Sequence, residues 1–147
     1  MFKRILIATD GSALSRKAVA SGISLAATHG AELVALTVVP RYPMNYFEGA
    51  MVFTPDDIAR IEKQWTDAAQ EMLAAVDARA QRSGVKVKTV TVRSDRVAEA
   101  IIAAAQKQQC DLIVMASHGR KGVKRLLLGS ETQHVLTHSS LPVLVLR

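Results

Sequence analysis

Residues 112–130 read LIVMASHGRKGVKRLLLGS, and this stretch carries the strongest structural signal in the chain. Its apolar first part, 112–116, predicts a buried strand, which leads into a loop with glycines and four cationic side chains. Gly129 and Ser130 then open a predicted helix. Glycines let the backbone approach a ligand, while free N–H groups and the helix dipole favour an anion at a helix start. The succession of strand, loop and helix therefore predicts a phosphate-binding loop.

The rest of the chain repeats the alternation of strand and helix. Continuous apolar runs indicate parallel strands covered on both faces, and apolar residues at three- and four-residue spacing indicate helices between them. The predicted strands are 2–9, 32–39, 85–92, 112–116 and 141–146. The predicted helices are about 12–29, 55–82, 95–109 and 130–139, the last with Ser130 as N-cap and Gln133 completing a capping box.

Two of the five strands have the character of sheet edges. Lysines alternate with valines in 85–92, and Pro142 stands at the start of the last strand, where pairing on both sides is poorly tolerated. A central first strand then gives the order 3-2-1-4-5, in a Rossmann-like α/β three-layer sandwich with a five-stranded parallel sheet. Ligands of such sheets bind where the strand order reverses. The turn at Asp10 should therefore meet the loop at 117–119.

Composition narrows the functional classes. A chain of 147 residues with 49% hydrophobic residues predicts one domain, 1–147. No apolar run approaches the roughly 20 residues of a membrane span, and residues 1–5 pass directly into a strand pattern, so we expect a cytosolic protein. The single cysteine, Cys110, is predicted to be structural. Although the net charge is +6, the dense basic patch at 120–125 lacks stacking aromatics, and no nucleic-acid partner is expected.

The chain closely resembles the universal stress protein family over nearly its whole length. The resemblance is carried by 5–12 (ILIATDGS), 36–38 (LTV), the glycine loop and 142–145 (PVLV). It implies an adenine nucleotide alpha hydrolase-like fold and a role in stress regulation. It also implies that the ligand is ATP, bound either alone or as its Mg²⁺ complex. It also implies a homodimer formed through the last strand, 142–146, whose apolar edge can pair with its own copy.

The resemblance also implies roles for individual residues. Asp10 would contact ribose or a metal-bridged phosphate, and the Val38 backbone would bond adenine. Met115 and Ala116 would line the base and ribose, while the loop and the helix start would hold phosphates. His118 and Arg120 are added from their charge and position, not from the resemblance. The predicted nucleotide-binding residues are Ala8, Thr9, Asp10, Val38, Met115, Ala116, Ser117, His118, Gly119, Arg120, Gly129, Ser130 and Glu131, with Asp10 also a contact for Mg²⁺ on the nucleotide.

One position departs from the nucleotide-binding pattern of that family, which is Gly, two residues, Gly, nine residues, then Gly-Ser or Gly-Thr. Gly119, Gly129 and Ser130 fit it, but Ala116 stands where the first glycine is expected. If the site needs a left-handed backbone there, the Cβ costs about 1–2 kcal/mol. If the backbone is extended, alanine costs almost nothing.

Other readings of the chain stay open. No Walker lysine follows the glycines, and no nucleophile stands beside a base, so no catalytic residue is predicted. The most activity that we expect is slow ATP hydrolysis. A nucleotide-independent interaction or chaperone-like scaffold, and an AMP or cyclic-nucleotide sensor, are the alternatives. Segment 41–55 contains four of the six aromatic residues, which is typical of a lid, a partner surface or a loop packed on its own helix.

Overall fold

The computed structural model describes residues 1–42, 53–120 and 128–147. Strands and helices alternate along them as the sequence predicts. The strands are β1 (Arg4–Ala8), β2 (Glu32–Val39), β3 (Val87–Arg93), β4 (Leu112–Ala116) and β5 (Val143–Leu146), and the helices are α1 (Ala13–His29), α2 (Pro55–Arg82), α3 (Val97–Lys107) and α4 (Ser130–His138).

The five strands form one parallel sheet in the order β3-β2-β1-β4-β5, which confirms the predicted topology. Ile7 of the central strand lies beside Ala35 of β2 and Val114 of β4. β3 and β5 lie at the two edges, as the lysines and the proline predict. The strand order reverses between β1 and β4, so a crevice opens at their carboxyl ends.

The sheet has a separate apolar core on each face. Ile5 and Ile7 point toward α1 and α2, where they pack with residues such as Leu73. Leu6, between them in sequence, points to the other face and packs with Ile101 of α3 and Val135 of α4. This alternation follows from the two-residue period of a strand. The predicted three-layer sandwich is confirmed.

Helix ends follow local capping chemistry at α1 and α2. The Ser12 hydroxyl accepts the N–H of Ser15 at 3.2 Å, and α1 ends at Gly30, whose φ of 63° is left-handed. Thr54 and Asp57 form a capping box at the start of α2. α3 begins at Val97, two residues later than predicted.

Three sequence predictions for these helices are wrong. The N-cap of α4 is Gly129, not Ser130, and no side chain caps that helix end. On α2, the three- and four-residue apolar spacing predicts that Trp65 and Ala68 are core residues, but Ala68 is exposed and Ala69 is buried in its place. Trp65 is only half-buried and stacks on Tyr42 with a centroid distance of 6.2 Å, so it is not a core residue. The first half of α2 therefore packs less closely than its apolar spacing predicts.

The aromatic segment 41–55 lies mostly outside the described residues. Of its ends, Tyr42 and Phe53 make an edge-to-face contact with centroids 5.7 Å apart. Among the described helices, none combines the length and apolar character that crossing a bilayer requires.

Candidate functional site

A cleft of about 860 Å³ opens at the carboxyl ends of β1 and β4. Its apolar lining comes mainly from β2, α3 and β4, and its polar lining comes from the turn after β1, the glycine loop and the start of α4. The residues that line it are Ala8, Thr9, Asp10, Ser15, Leu36, Val38, Pro40, Ser94, Asp95, Val97, Ile101, Met115, Ala116, His118, Gly119, Arg120, Leu128, Gly129, Ser130, Glu131 and Thr132.

The cleft brings together every predicted site residue except Ser117. Ser117 is buried, and its backbone joins two elements: its N–H donates to the carbonyl of Leu146 at 2.8 Å, and its carbonyl accepts the N–H of Gly129 at 2.8 Å. Its hydroxyl lies 3.2 Å from Nδ1 of His118. Ser117 therefore fixes the start of α4 against the sheet.

Asp10 links the two turns that meet across the crevice. Its Oδ1 accepts the N–H of Ser12 at 2.9 Å, and its Oδ2 accepts the N–H of Arg120 at 2.9 Å. Partial burial acts to raise the pKa of this carboxyl, but hydrogen bonds from Ser12, Ser15 and Arg120 outweigh it and hold the pKa below 3.8. Asp10 is therefore a carboxylate near neutral pH.

The lowered pKa of Asp10 predicts a pH-dependent contribution to stability. A carboxyl whose pKa is depressed on folding stabilises the protein above its unfolded pKa, and this stabilisation is lost as pH falls through the folded value. The free energy of unfolding of Asp10→Asn should thus lie below that of the wild type by a constant amount above about pH 5. The gap should narrow below pH 3.8. Urea unfolding across a pH series measures it, and a gap that stays constant to pH 3 would contradict this role.

Gly119 is required by the close approach of Asp10. A Cβ at this position would lie 2.5 Å from Oδ2 of Asp10, closer than real contacts allow. Gly11, in the facing turn, has a φ of 78°, where side chains are rarely found. Two glycines thus let the turn after β1 and the loop after β4 pack against each other.

The N-terminus of α4 faces the cleft with free backbone donors. The N–H of Gln133 closes the first helical bond on the Gly129 carbonyl at 2.9 Å, and those of Ser130, Glu131 and Thr132 have no partner within the described part of the chain. Within 1–42, 53–120 and 128–147, no side chain caps this end. Aligned N–H groups and the helix dipole make such an end attractive to an anion.

Two side chains of that first turn fix its position. The buried Thr132 hydroxyl donates to the carbonyl of Ala116 at 2.9 Å, which holds α4 to the end of β4. Oε2 of Glu131 accepts the N–H of Ala98 at 2.8 Å, at the start of α3, where the N-cap Arg96 offers no side-chain bond. Glu131 therefore caps the neighbouring helix, leaving the α4 donors to the cleft.

The peptide groups of Val38 are directed toward the crevice. The carbonyl of Leu36 accepts the N–H of Thr9 at 2.9 Å, so the peptide groups of Leu36 face β1. Alternate residues of a strand face the same neighbour, so those of Val38 also point to that side. Because β1 ends at Ala8, they point past its end into the crevice.

Ala116 has an ordinary strand backbone. It is the last residue of β4, pairs with Leu146 and does not have a positive φ. The cost of about 1–2 kcal/mol for a left-handed alanine therefore does not apply here.

One wall of the cleft consists of residues outside the predicted set. Pro40 follows β2, Ser94 and Asp95 follow β3, and Val97 and Ile101 lie on α3. No motif marks these residues. The only available signal was topological, because β3 ends at the same sheet edge as β1 and β4.

The hydrogen-bond donors and apolar surface of the cleft suit an anionic ligand with an apolar part better than a bare metal ion. Over 1–42, 53–120 and 128–147, no three His, Cys, Asp or Glu side chains converge to hold a metal. The backbone donors at the start of α4 suit phosphate, while Val38, Ile101 and Met115 offer apolar surface. The volume lies within the range of small-molecule sites, about 300–1,000 Å³.

Comparison with known proteins gives a consistent result. The family model described as the universal stress protein family matches residues 1–147. A universal stress protein of Thermus aquaticus is 35% identical over 148 residues, covering all of both chains. The universal stress protein MJ0531 of Methanocaldococcus jannaschii is 34% identical over 147 residues, covering 100% of this chain and 83% of the relative.

Solved structures show the same fold. The structure of MJ0577 superposes with a TM-score of 0.83 at 27% identity, covering 99% of this chain and 96% of the other. A universal stress protein in complex with cAMP has a TM-score of 0.71 at 23% identity, with coverage of 99% and 97%.

Proposed function

Because the chain belongs to the universal stress protein family, we propose that it is a cytosolic, ATP-binding regulatory protein that acts as a homodimer in stress physiology. The observation that carries the proposal is the N-terminus of α4, whose first N–H groups have no partner among the described residues and face a cleft that also holds Asp10 and Gly119. A triphosphate would supply the anion that these donors lack.

The two halves of the cleft suit the two ends of the nucleotide. The phosphates would lie against Gly119, Gly129 and Ser130, with the Arg120 guanidinium nearby. The adenine would lie near Met115 and accept or donate hydrogen bonds at the Val38 backbone. Asp10 would bind ribose hydroxyls or a Mg²⁺ ion carried by the phosphates, as its ionised state permits.

Titration with ATP in the presence of Mg²⁺ tests the proposal. Free nucleotide at 100 times its Kd should stabilise the folded state by about 2.7 kcal/mol, which thermal or urea unfolding would detect, and calorimetry should give one site per chain. AMP, cAMP and dAMP are titrated in the same way. If one of them binds more tightly than ATP, the protein would instead be a sensor of that nucleotide. Neither heat nor stabilisation with any nucleotide at millimolar concentration would favour the nucleotide-independent scaffold.

Restoring the family glycine at position 116 should change little. Since Ala116 already has an extended backbone, Ala116→Gly relieves no strain, and we expect the Kd for ATP to change by less than about threefold, or 0.7 kcal/mol. Calorimetric titration of both proteins at one salt concentration measures the ratio. A gain of tenfold or more would mean that the methyl group obstructs the ligand.

The dimer would form through the open edge of β5. This strand pairs only with β4 among the described strands, and Leu144 is exposed. The carbonyls of Pro142 and Leu146 accept N–H groups of Ile113 and Ser117, so the peptide groups of Val145 face the free edge. A second copy could pair there across a two-fold axis.

Val145→Pro should therefore produce a monomer. Proline removes the outward N–H of Val145 but leaves the bonds from β5 to β4 in place, because those use the neighbouring residues. Sedimentation equilibrium at several concentrations measures the shift from dimer to monomer. An unchanged dimer would place the interface elsewhere, and a monomeric wild type would remove the dimer from the proposal.

A further inference from the structure

Two histidines lie together on α4, away from the cleft. His134 and His138 are four residues apart, so they project from the same side of the helix, and their ring centroids are 4.1 Å apart with an interplanar angle of 26°. Neither lines the cleft. We propose that this pair is a bidentate binding site for a divalent transition-metal ion, with Cu²⁺ preferred over Ni²⁺ and Zn²⁺.

The hydrogen bonds of His138 set up one ring nitrogen as a metal ligand. Nδ1 of His138 lies 3.0 Å from the carbonyl oxygen of His134, and since a carbonyl can only accept, Nδ1 carries the proton. The same nitrogen lies 2.8 Å from the hydroxyl of Thr137. In the neutral ring the lone pair is then on Nε2. Metal-binding histidines commonly have this arrangement, in which the second ring nitrogen donates to a backbone carbonyl.

The spacing of the two rings suits a shared ion. Metal–imidazole bonds are about 2.0–2.1 Å long, so one ion bridges two nitrogens that are roughly 3–4 Å apart. Stacked rings hold their in-plane lone pairs nearly parallel, so one ring must turn before both can bind the same ion. The ring torsion of histidine is broad, and the His134 ring, which makes no hydrogen bond among the described residues, can turn while His138 keeps its bond to the carbonyl. His138 also lies in the last turn of α4, where the helix dipole favours a cation.

The chemistry of the pair selects the metal. Imidazole nitrogens suit copper, nickel and zinc, whereas calcium and magnesium prefer oxygen ligands. No third His, Cys, Asp or Glu joins the pair in the described ranges, so water would complete the coordination. With the ligands fixed, affinity should follow the general order in which Cu²⁺ binds most tightly.

Calorimetric titration of the full-length, nucleotide-free protein with CuCl₂, NiCl₂ and ZnCl₂ tests the site. We expect one ion per chain at this site, bound most tightly for Cu²⁺, and at least a tenfold loss of affinity in His134→Gln and in His138→Gln. His29→Gln and His118→Gln, which change the other two histidines, should keep the wild-type affinity. Circular dichroism confirms that each variant is folded.

A second measurement does not depend on variants. The electron paramagnetic resonance spectrum of the wild type with one equivalent of Cu²⁺ should show two coordinated imidazole nitrogens. The proposal is overturned if Cu²⁺ affinity survives in the His134→Gln and His138→Gln variants, if it is lost in His118→Gln instead, or if the spectrum shows one nitrogen ligand or none.

Discussion

Gly129→Val should weaken ATP binding at least a hundredfold while the core stays folded. A Cβ at this position would lie 3.2 Å from the Ser117 carbonyl oxygen and 3.4 Å from Cα of His118, and valine adds two further methyl groups. The start of α4 would have to move away from the end of β4, and its free N–H groups would move with it. Two lost charge-assisted hydrogen bonds, at about 1.5–3 kcal/mol each, correspond to a hundredfold or more.

Two further variants test whether the loss of ATP affinity comes from steric crowding at position 129. The φ of Gly129 is −61°, so backbone conformation does not require glycine here, and Gly129→Ala should give an intermediate loss. Gly84→Ala is the matched control, since Gly84 has a φ of 69° in open space at the opposite end of the sheet. It should lose about 1–2 kcal/mol of stability with unchanged ATP affinity. Wild-type affinity in Gly129→Val would remove the α4 N-terminus from the proposed site.

The order of the strands and the position of the cleft could be predicted because both follow from the alternation of strand and helix patterns along the sequence. Apolar runs fix which strands are buried, and Lys86 and Pro142 mark the edges. Once the order is known, the reversal between β1 and β4 brings Asp10 to Gly119 without any knowledge of side-chain contacts.

The details that sequence missed depend on tertiary packing. Ser130 is the better intrinsic N-cap, but Gly129 takes that role because its N–H donates to the Ser117 carbonyl and a Cβ there would make tight contacts of 3.2–3.4 Å. Glu131 reads locally as a first-turn acid of α4, whereas its carboxylate caps α3. Contacts between elements 33 residues apart leave no local pattern in the sequence.

The close approach of α1 to β1 also has no signal in the sequence. Substitutions at this contact should cause the largest change in the free energy of unfolding. Gly22 lies in the middle of α1, where glycine is intrinsically unfavourable. A Cβ there would lie 2.4 Å from Cδ1 and 2.8 Å from Cγ1 of the fully buried Ile7. Gly22→Ala should therefore destabilise the fold by about 1–3 kcal/mol despite its better helix propensity. Ile7→Ala should cost about 2–5 kcal/mol through the cavity that it leaves.

The double variant should cost less than the sum of the two single variants, because the new methyl group at Gly22 enters the space that Ile7 vacates. We expect a coupling free energy of at least about 1 kcal/mol, well above the error of additivity for distant sites. Urea unfolding at one protein concentration measures all four proteins, with the m-value checked for constancy. Gly22→Ala combined with Leu36→Ala, a buried residue on the other face of the sheet, is the additive control. Additivity in both pairs would mean that α1 can shift along the sheet to accommodate a methyl group, and that the packing of Gly22 against Ile7 does not determine the separation of helix and strand.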